Sequence, residues 1–236
     1  MSIVIDRQVD AVIDMRAYAA GATPSGDWFQ GRSEPAFSDA AVEVAAFALR
    51  GEGQVDRLLT DECVLVLQGR LEIESGAGTL VVEADNGAVL PVGSSFRWRA
   101  SDDLLAIIYA APTQAAGNVS EPVLIDKNAI LAPSNPPASE NLLGPVPTCR
   151  SHSDYISANR EFACGIWDST PYHRRLIPYR QVELMLLLDG KVTFTDDKGS
   201  VTFQKGDVFM FVRGDGCAWL SEEYVRKLYS IQRPVA

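Results

Sequence analysis

Two stretches decide the fold: Glu62-Cys-Val-Leu-Val-Leu-Gln-Gly69 and Glu183-Leu-Met-Leu-Leu-Leu-Asp-Gly190. Each opens on one carboxylate, runs through five apolar residues and stops at a polar residue followed by glycine. They lie 121 residues apart, and the same shift carries Gly78 onto Gly199, Gly93 onto Gly214 and Trp98 onto Trp219. Near the start, a shift of 120 lays Ile3-Val-Ile-Asp-Arg7 over Val123-Leu-Ile-Asp-Lys127. Turn glycines kept in one register mark an internal duplication. The copies meet near residues 112–122, where Pro112, Gly117, Asn118 and Pro122 read as a linker. The expected domains are 1–117 and 118–236.

Working outward, each copy reads as short strands. Cys63–Leu67, Leu71–Glu74 and Thr79–Glu83 follow one another across Gln68-Gly-Arg70 and the glycines at 76 and 78. Leu184–Leu188, Val192–Thr195 and Ser200–Phe203 repeat the series. Strands at this spacing, with glycine and aspartate in the turns, predict an all-β fold of antiparallel sandwich or barrel type. Ala11–Ala20 is the only segment that suits a helix, and a short one. Ala40–Leu49 is alanine-rich, but Val42, Val44 and Phe47 favour a strand. Ala132–Pro147, with five prolines and no periodicity, predicts a long ordered loop over a sheet.

Composition narrows function. The chain has 236 residues, 47% hydrophobic and 22% charged, enough for one large or two small cores. With 21 basic and 31 acidic residues its net charge is −10, which opposes nucleic-acid backbones and anionic membranes. No apolar run approaches a membrane span, and Met1–Asp10 lacks the apolar segment of a secretory leader. The four scattered cysteines, with no Cys-x-x-Cys pair, read as free thiols, and a cytoplasmic protein is the expectation. Only two histidines occur, His152 and His173, so a three-imidazole metal site is impossible. Nucleotide-binding glycine loops, a phosphate loop and the Gly-x-Ser-x-Gly elbow are all absent.

The glutamate–glycine stretches resemble the second half of the first cupin motif. Pro91-x-Gly93, and Gly206-Asp207 through Val212-x-Gly214, resemble the second motif. With Gly165-Ile-Trp-Asp-Ser-Thr-Pro171, Trp219 and Val225-Arg-Lys-Leu-Tyr229, the second copy is similar to the cupin-3 group, the domain of unknown function 861 family. That family includes ureidoglycine aminohydrolase-like and ethanolamine-utilisation-like cupins. The resemblance implies two tandem double-stranded β-helix barrels, each with a cavity at its mouth, and a chemistry of small nitrogen-containing metabolites.

The resemblance also implies which residues line the cavities. In the second copy, Ile177, Tyr179 and Cys217 stand where metal-binding cupins place three histidines, beside Glu183 and Trp219. In the first copy the corresponding set is Asp56, Leu58, Glu62, Phe96 and Trp98. All histidine positions are lost and only the glutamates remain, so neither metal nor other cofactor is expected. A lone carboxylate in an apolar barrel must be hydrogen-bonded, paired or protonated. Glu183 and Glu62 therefore read either as ligand anchors or as structural glutamates bonded to a tyrosine hydroxyl or an arginine. Glu183 with Tyr179 is the candidate catalytic pair, Glu183 acting as acid/base. Ligand binding is expected from Glu183, Tyr179, Cys217, Trp219, Glu62 and Trp98. Cys217 reads as nucleophile or as buried thiol, Trp98 and Trp219 as core plugs or stacking walls, and His173 as a loop residue on the approach to the barrel. The expected partner is a small polar molecule, with homodimer formation through an outer sheet compatible with such barrels. A metal-independent hydrolase or isomerase and a non-catalytic sensor both stay open.

Overall fold

A computed structural model describes residues 9–113 and 115–233. The first member of the Ile3–Arg7 match lies outside the described residues. By density of contacts the described residues form two units: Arg16–Ile125 with Asp154–Cys164, and residues 9–15 with Asp126–Ser153 and Gly165–Arg233.

Each unit is built on a jelly roll of two facing sheets, four central strands of a seven-stranded sheet against a four-stranded one. In the first, one sheet orders Asn86–Leu90, Asp61–Gln68, Leu105–Ala111 and Glu43–Leu49 side by side. The other orders Gly51–Val55, Phe96–Ala100, Arg70–Ser75 and Gly78–Glu83. In the second, the same order recurs with Val208–Phe211, Val182–Asp189, Val225–Gln232 and Phe162–Ser169, facing Tyr172–Pro178, Gly216–Ser221, Lys191–Thr195 and Ser200–Gln204. The predicted strands all fall within these spans. Ala40–Leu49 yields the strand Glu43–Leu49, whereas Ala11–Ala20 splits into the strand Val12–Asp14 and the short helix Met15–Ala19.

Burial follows the sheets. Asp61–Gln68 is buried at every residue but the last, whereas Phe96–Ala100 alternates buried and exposed. The strands of each larger sheet are thus covered on both faces, and the smaller sheets keep one face in water. The duplicated glycines carry matching geometry. Gly69 and Gly190 both have φ of 78°, a left-handed conformation that favours glycine. A Cβ at Gly190 would sit 2.1 Å from the Tyr224 carbonyl oxygen, and one at Gly69 2.5 Å from Ser101 Oγ. The turn after each glutamate strand is therefore closed to any larger residue. Within Ala132–Pro147 a strand forms at Ala132–Ser134 and a 3-10 turn at Ser139–Asn141. Beyond that turn Leu142 enters the core of the second barrel.

Candidate functional site

Glu183 is the second residue of Val182–Asp189 and is 7% exposed. Its Oε1 lies 2.8 Å from the Lys227 ammonium, and its Oε2 accepts from the Gln181 amide at 3.2 Å. Lys227 sits on the neighbouring strand Val225–Gln232, in register with Leu187, so its side chain enters the barrel beside a core residue. There its ammonium is 3.0 Å from Met185 Sδ. It also lies 4.8 Å from the Trp167 ring centroid and 5.4 Å from that of Trp219. Two indole faces and one carboxylate thus surround a single buried cation, an arrangement favourable to a partly desolvated ammonium.

The aromatic wall continues. Trp219 stacks on Tyr172 at 5.4 Å and 10° and meets Trp167 edge-on at 6.2 Å. Tyr179 stacks on Phe211 at 3.8 Å. Arg174, on the strand Tyr172–Pro178 and in register with Trp219, donates to the Tyr179 hydroxyl at 3.3 Å and to the Cys217 carbonyl oxygen at 3.1 Å. Burial pushes the Tyr172 and Tyr179 phenols up and raises the Cys217 thiol to about 12. A thiol so placed is neutral at pH 7 and is not an activated nucleophile. Tyr172, Arg174, Glu183 and Lys227 keep 7–8% exposure while Met185, Phe194 and Cys217 have none. The polar groups therefore reach the edge of this core, as Leu142 and Phe203 also do.

The structure brings Glu183, Trp219 and the Cys217 main chain into one interior, with Tyr179 at its Arg174 side. It adds Lys227, Arg174, Trp167 and Tyr172, which sequence reading did not single out. Lys227 was present only as the third residue of Val225-Arg-Lys-Leu-Tyr229. Strand alternation reveals its inward direction once the register with Leu187 is known.

The first barrel treats its glutamate differently. Glu62 is 1% exposed; Arg32 Nη2 donates to Oε1 at 2.7 Å, Thr60 Oγ to Oε1 at 3.2 Å, and the Trp28 indole to Oε2 at 3.1 Å. Trp28 fills the interior, edge-on to Phe47 at 5.2 Å and to Phe96 at 5.1 Å, with Trp98 at 6.3 Å. Trp98 is 3% exposed within this core, and Leu58 is fully buried. Asp56 is exposed and bonded to Gln54, so it does not share the interior with Glu62. A hollow of about 510 Å³ lies elsewhere, on the outer face of the smaller sheet, between Glu52, Gln54, Glu72, Glu74, Arg97 and Arg99. Its charges alternate across strands, Arg99 pairing with Glu52 at 3.2 Å. It reads as a solvated sheet surface, and the convergent buried groups of the second barrel carry the stronger chemical signal.

The metal site that the resemblance to metal-binding cupins implies does not fit these residues. Ile177 offers no donor, the Tyr179 phenol and Cys217 thiol hold their protons, and an ammonium already occupies the coordinating face of Glu183. Among the described residues no group of three or more His, Cys, Asp and Glu side chains converges. His173 is partly buried in the strand Tyr172–Pro178, its carbonyl accepting from Leu143.

Residues 156–229 match the EutQ-like cupin domain family. A protein of unknown function from Pseudomonas syringae pv. tomato, of the domain of unknown function 861 family, has a similar structure. The TM-score is 0.81 at 29% identity, over 88% of this chain and 89% of that one. Protein Ylba from E. coli, of the same family, has a TM-score of 0.57 at 11% identity, over 99% and 98%. Streptomyces albus HEPD, solved with 2-hydroxyethylphosphonate and Fe(II), has a TM-score of 0.56 at 7% identity, over 95% and 76%. These last two share the fold alone. No curated protein matches by sequence. Over residues 156–229 the second barrel is thus similar to EutQ-like cupin domains, and the chain as a whole has an architecture similar to that of the Pseudomonas protein.

Proposed function

We propose that the second barrel binds a small polar metabolite against the Trp167, Trp219 and Tyr172 rings, with Glu183, Lys227 and Arg174 as its polar contacts, and that the first barrel is structural. The observation that carries this is the Glu183–Lys227 pair, 2.8 Å apart and flanked by two indoles. A buried ion pair is seldom the most stable filling of a core, and here both members keep 7% exposure. The filled interior of the first barrel, with Glu62 bonded on both oxygens, supports the division of labour. The family resemblance directs the search toward nitrogen-containing metabolites in a cytoplasmic protein.

A thermal-shift screen of small metabolites, followed by calorimetry, tests this. Binding is expected to vanish in Glu183→Gln and in Lys227→Met and to persist in Glu62→Gln. If no compound binds, or if Glu183→Gln leaves binding intact, the site is elsewhere. A second reading, an enzyme without metal, rests on the same pair: a carboxylate beside an ammonium is a ready acid–base couple. Turnover of a bound compound that stops in Glu183→Gln while binding survives in Glu183→Asp selects it; binding without turnover selects the sensor. Self-association through an outer sheet belongs to the same proposal, and light scattering checks it.

A further inference from the structure

The second barrel contains two buried cations and one buried carboxylate that face the same aromatic walls. Lys227 is matched by Glu183. Arg174 is 8% exposed, and the acceptors of its guanidinium are neutral. Nη2 donates to the Tyr179 hydroxyl and the Cys217 carbonyl, and the guanidinium carbon lies 5.1 Å from the Tyr179 ring centroid. Nε is buried without an acceptor. Among the described residues no carboxylate forms an ion pair with Arg174.

This charge has no internal remedy. A guanidinium cannot shed its proton at any pH the fold survives. The phenols of Tyr172 and Tyr179 and the thiol of Cys217, which feel its charge, are pushed up by burial and stay neutral. A cation with an unsatisfied donor in an apolar barrel is costly unless an anion completes it. One positive charge in excess calls for a monoanion, and the planar guanidinium fork matches the two oxygens of a carboxylate.

We propose that the ligand of the second barrel is a small monocarboxylate whose carboxylate is received by Arg174, its apolar or planar body lying along the Trp219 and Tyr172 rings. This rests on the reading that the second barrel binds a metabolite, and it names the chemical class.

The test uses pairs of equal shape that differ by one charge: acetate with acetamide and benzoate with benzamide, with inorganic phosphate as a third anion. Binding is read by tryptophan fluorescence and calorimetry on the full chain at pH 7. Each carboxylate is expected to bind at least roughly tenfold more tightly than its amide. Arg174→Gln should abolish that preference, and Arg174→Lys should keep part of it. Amides binding as well as the carboxylates, or phosphate binding more tightly than either, overturns the assignment. If none of the five binds and the metabolite screen yields a neutral ligand dependent on Glu183, the carboxylate class falls and the barrel reading stands. If that screen also yields nothing, both fall. The isosteric comparison needs no variant, so a misfolded Arg174→Gln protein does not rescue the proposal.

Discussion

Two glutamates occupy equivalent positions in two barrels of one topology, and their partners come from opposite places. Glu62 is neutralised by Arg32 and Trp28, both from the segment that precedes the barrel strands, and the indole that bonds it also plugs the interior. Glu183 is neutralised by Lys227, which belongs to the barrel wall itself. Each carboxylate obeys the same rule, that a buried charge must be compensated. A partner brought in from outside closes the barrel. A partner supplied by the wall leaves the interior lined with polar groups and rings. The duplication preserved the demand for compensation, and each copy met it in its own way.

The sharpest break in this comparison is Trp28→Ala. Removing a fully buried indole should cost the first unit about 3–5 kcal/mol, read by urea unfolding, while ligand binding in the second barrel stays unchanged. Loss of binding in this variant would mean that the first barrel is more than structural.

Glu183→Gln should destabilise the second unit by about 3 kcal/mol, because it strands the Lys227 ammonium. The double variant Glu183→Gln/Lys227→Met should recover most of that stability and still bind nothing. If the double variant is as unstable as the single one, the pair serves the fold and is not kept for a ligand.

A smaller effect concerns high pH. Cys149 and Cys217 are raised by burial to about 11 and about 12 from an ordinary 9.0, and Tyr172 and Tyr179 are raised as well. The folded state holds these protons more firmly than the unfolded chain. The stability they contribute is whole below pH 9 and is lost as pH rises from there toward 12. Denaturation curves of the second unit should therefore weaken between pH 9 and 11, and Cys217→Ala should make that decline shallower.

The smallest expected signal is thiol reactivity. All four cysteines are buried free thiols, so a disulfide reagent at pH 8 should label the folded protein slowly and the denatured chain at once. Rapid labelling of Cys217 in the native protein would show that the second interior is far more open than its exposure indicates.

Much of this is legible in the sequence itself. Turn glycines repeated at one interval, five-residue apolar runs and strand alternation are local properties of the chain, and they determined the duplication and the strands, while the inward direction of Glu62 and Glu183 came from the resemblance to cupins. The matching φ of Gly69 and Gly190 shows how literally the repeat was written. Sequence likewise removed the histidines on which a metal site depends. What it did not contain was the identity of the partners. Arg32 lies 30 residues from Glu62, and Lys227 lies 44 residues from Glu183. Which of many arginines and lysines meets a carboxylate inside a barrel depends on strand order and register. Here the register shifts between Leu187 and Asp189, and again between Arg174 and Ile177. One displaced residue turns a side chain from water into the core. The sequence and its resemblance therefore pointed to a buried charge in each barrel, and only the folded sheets decided which side chain answers it.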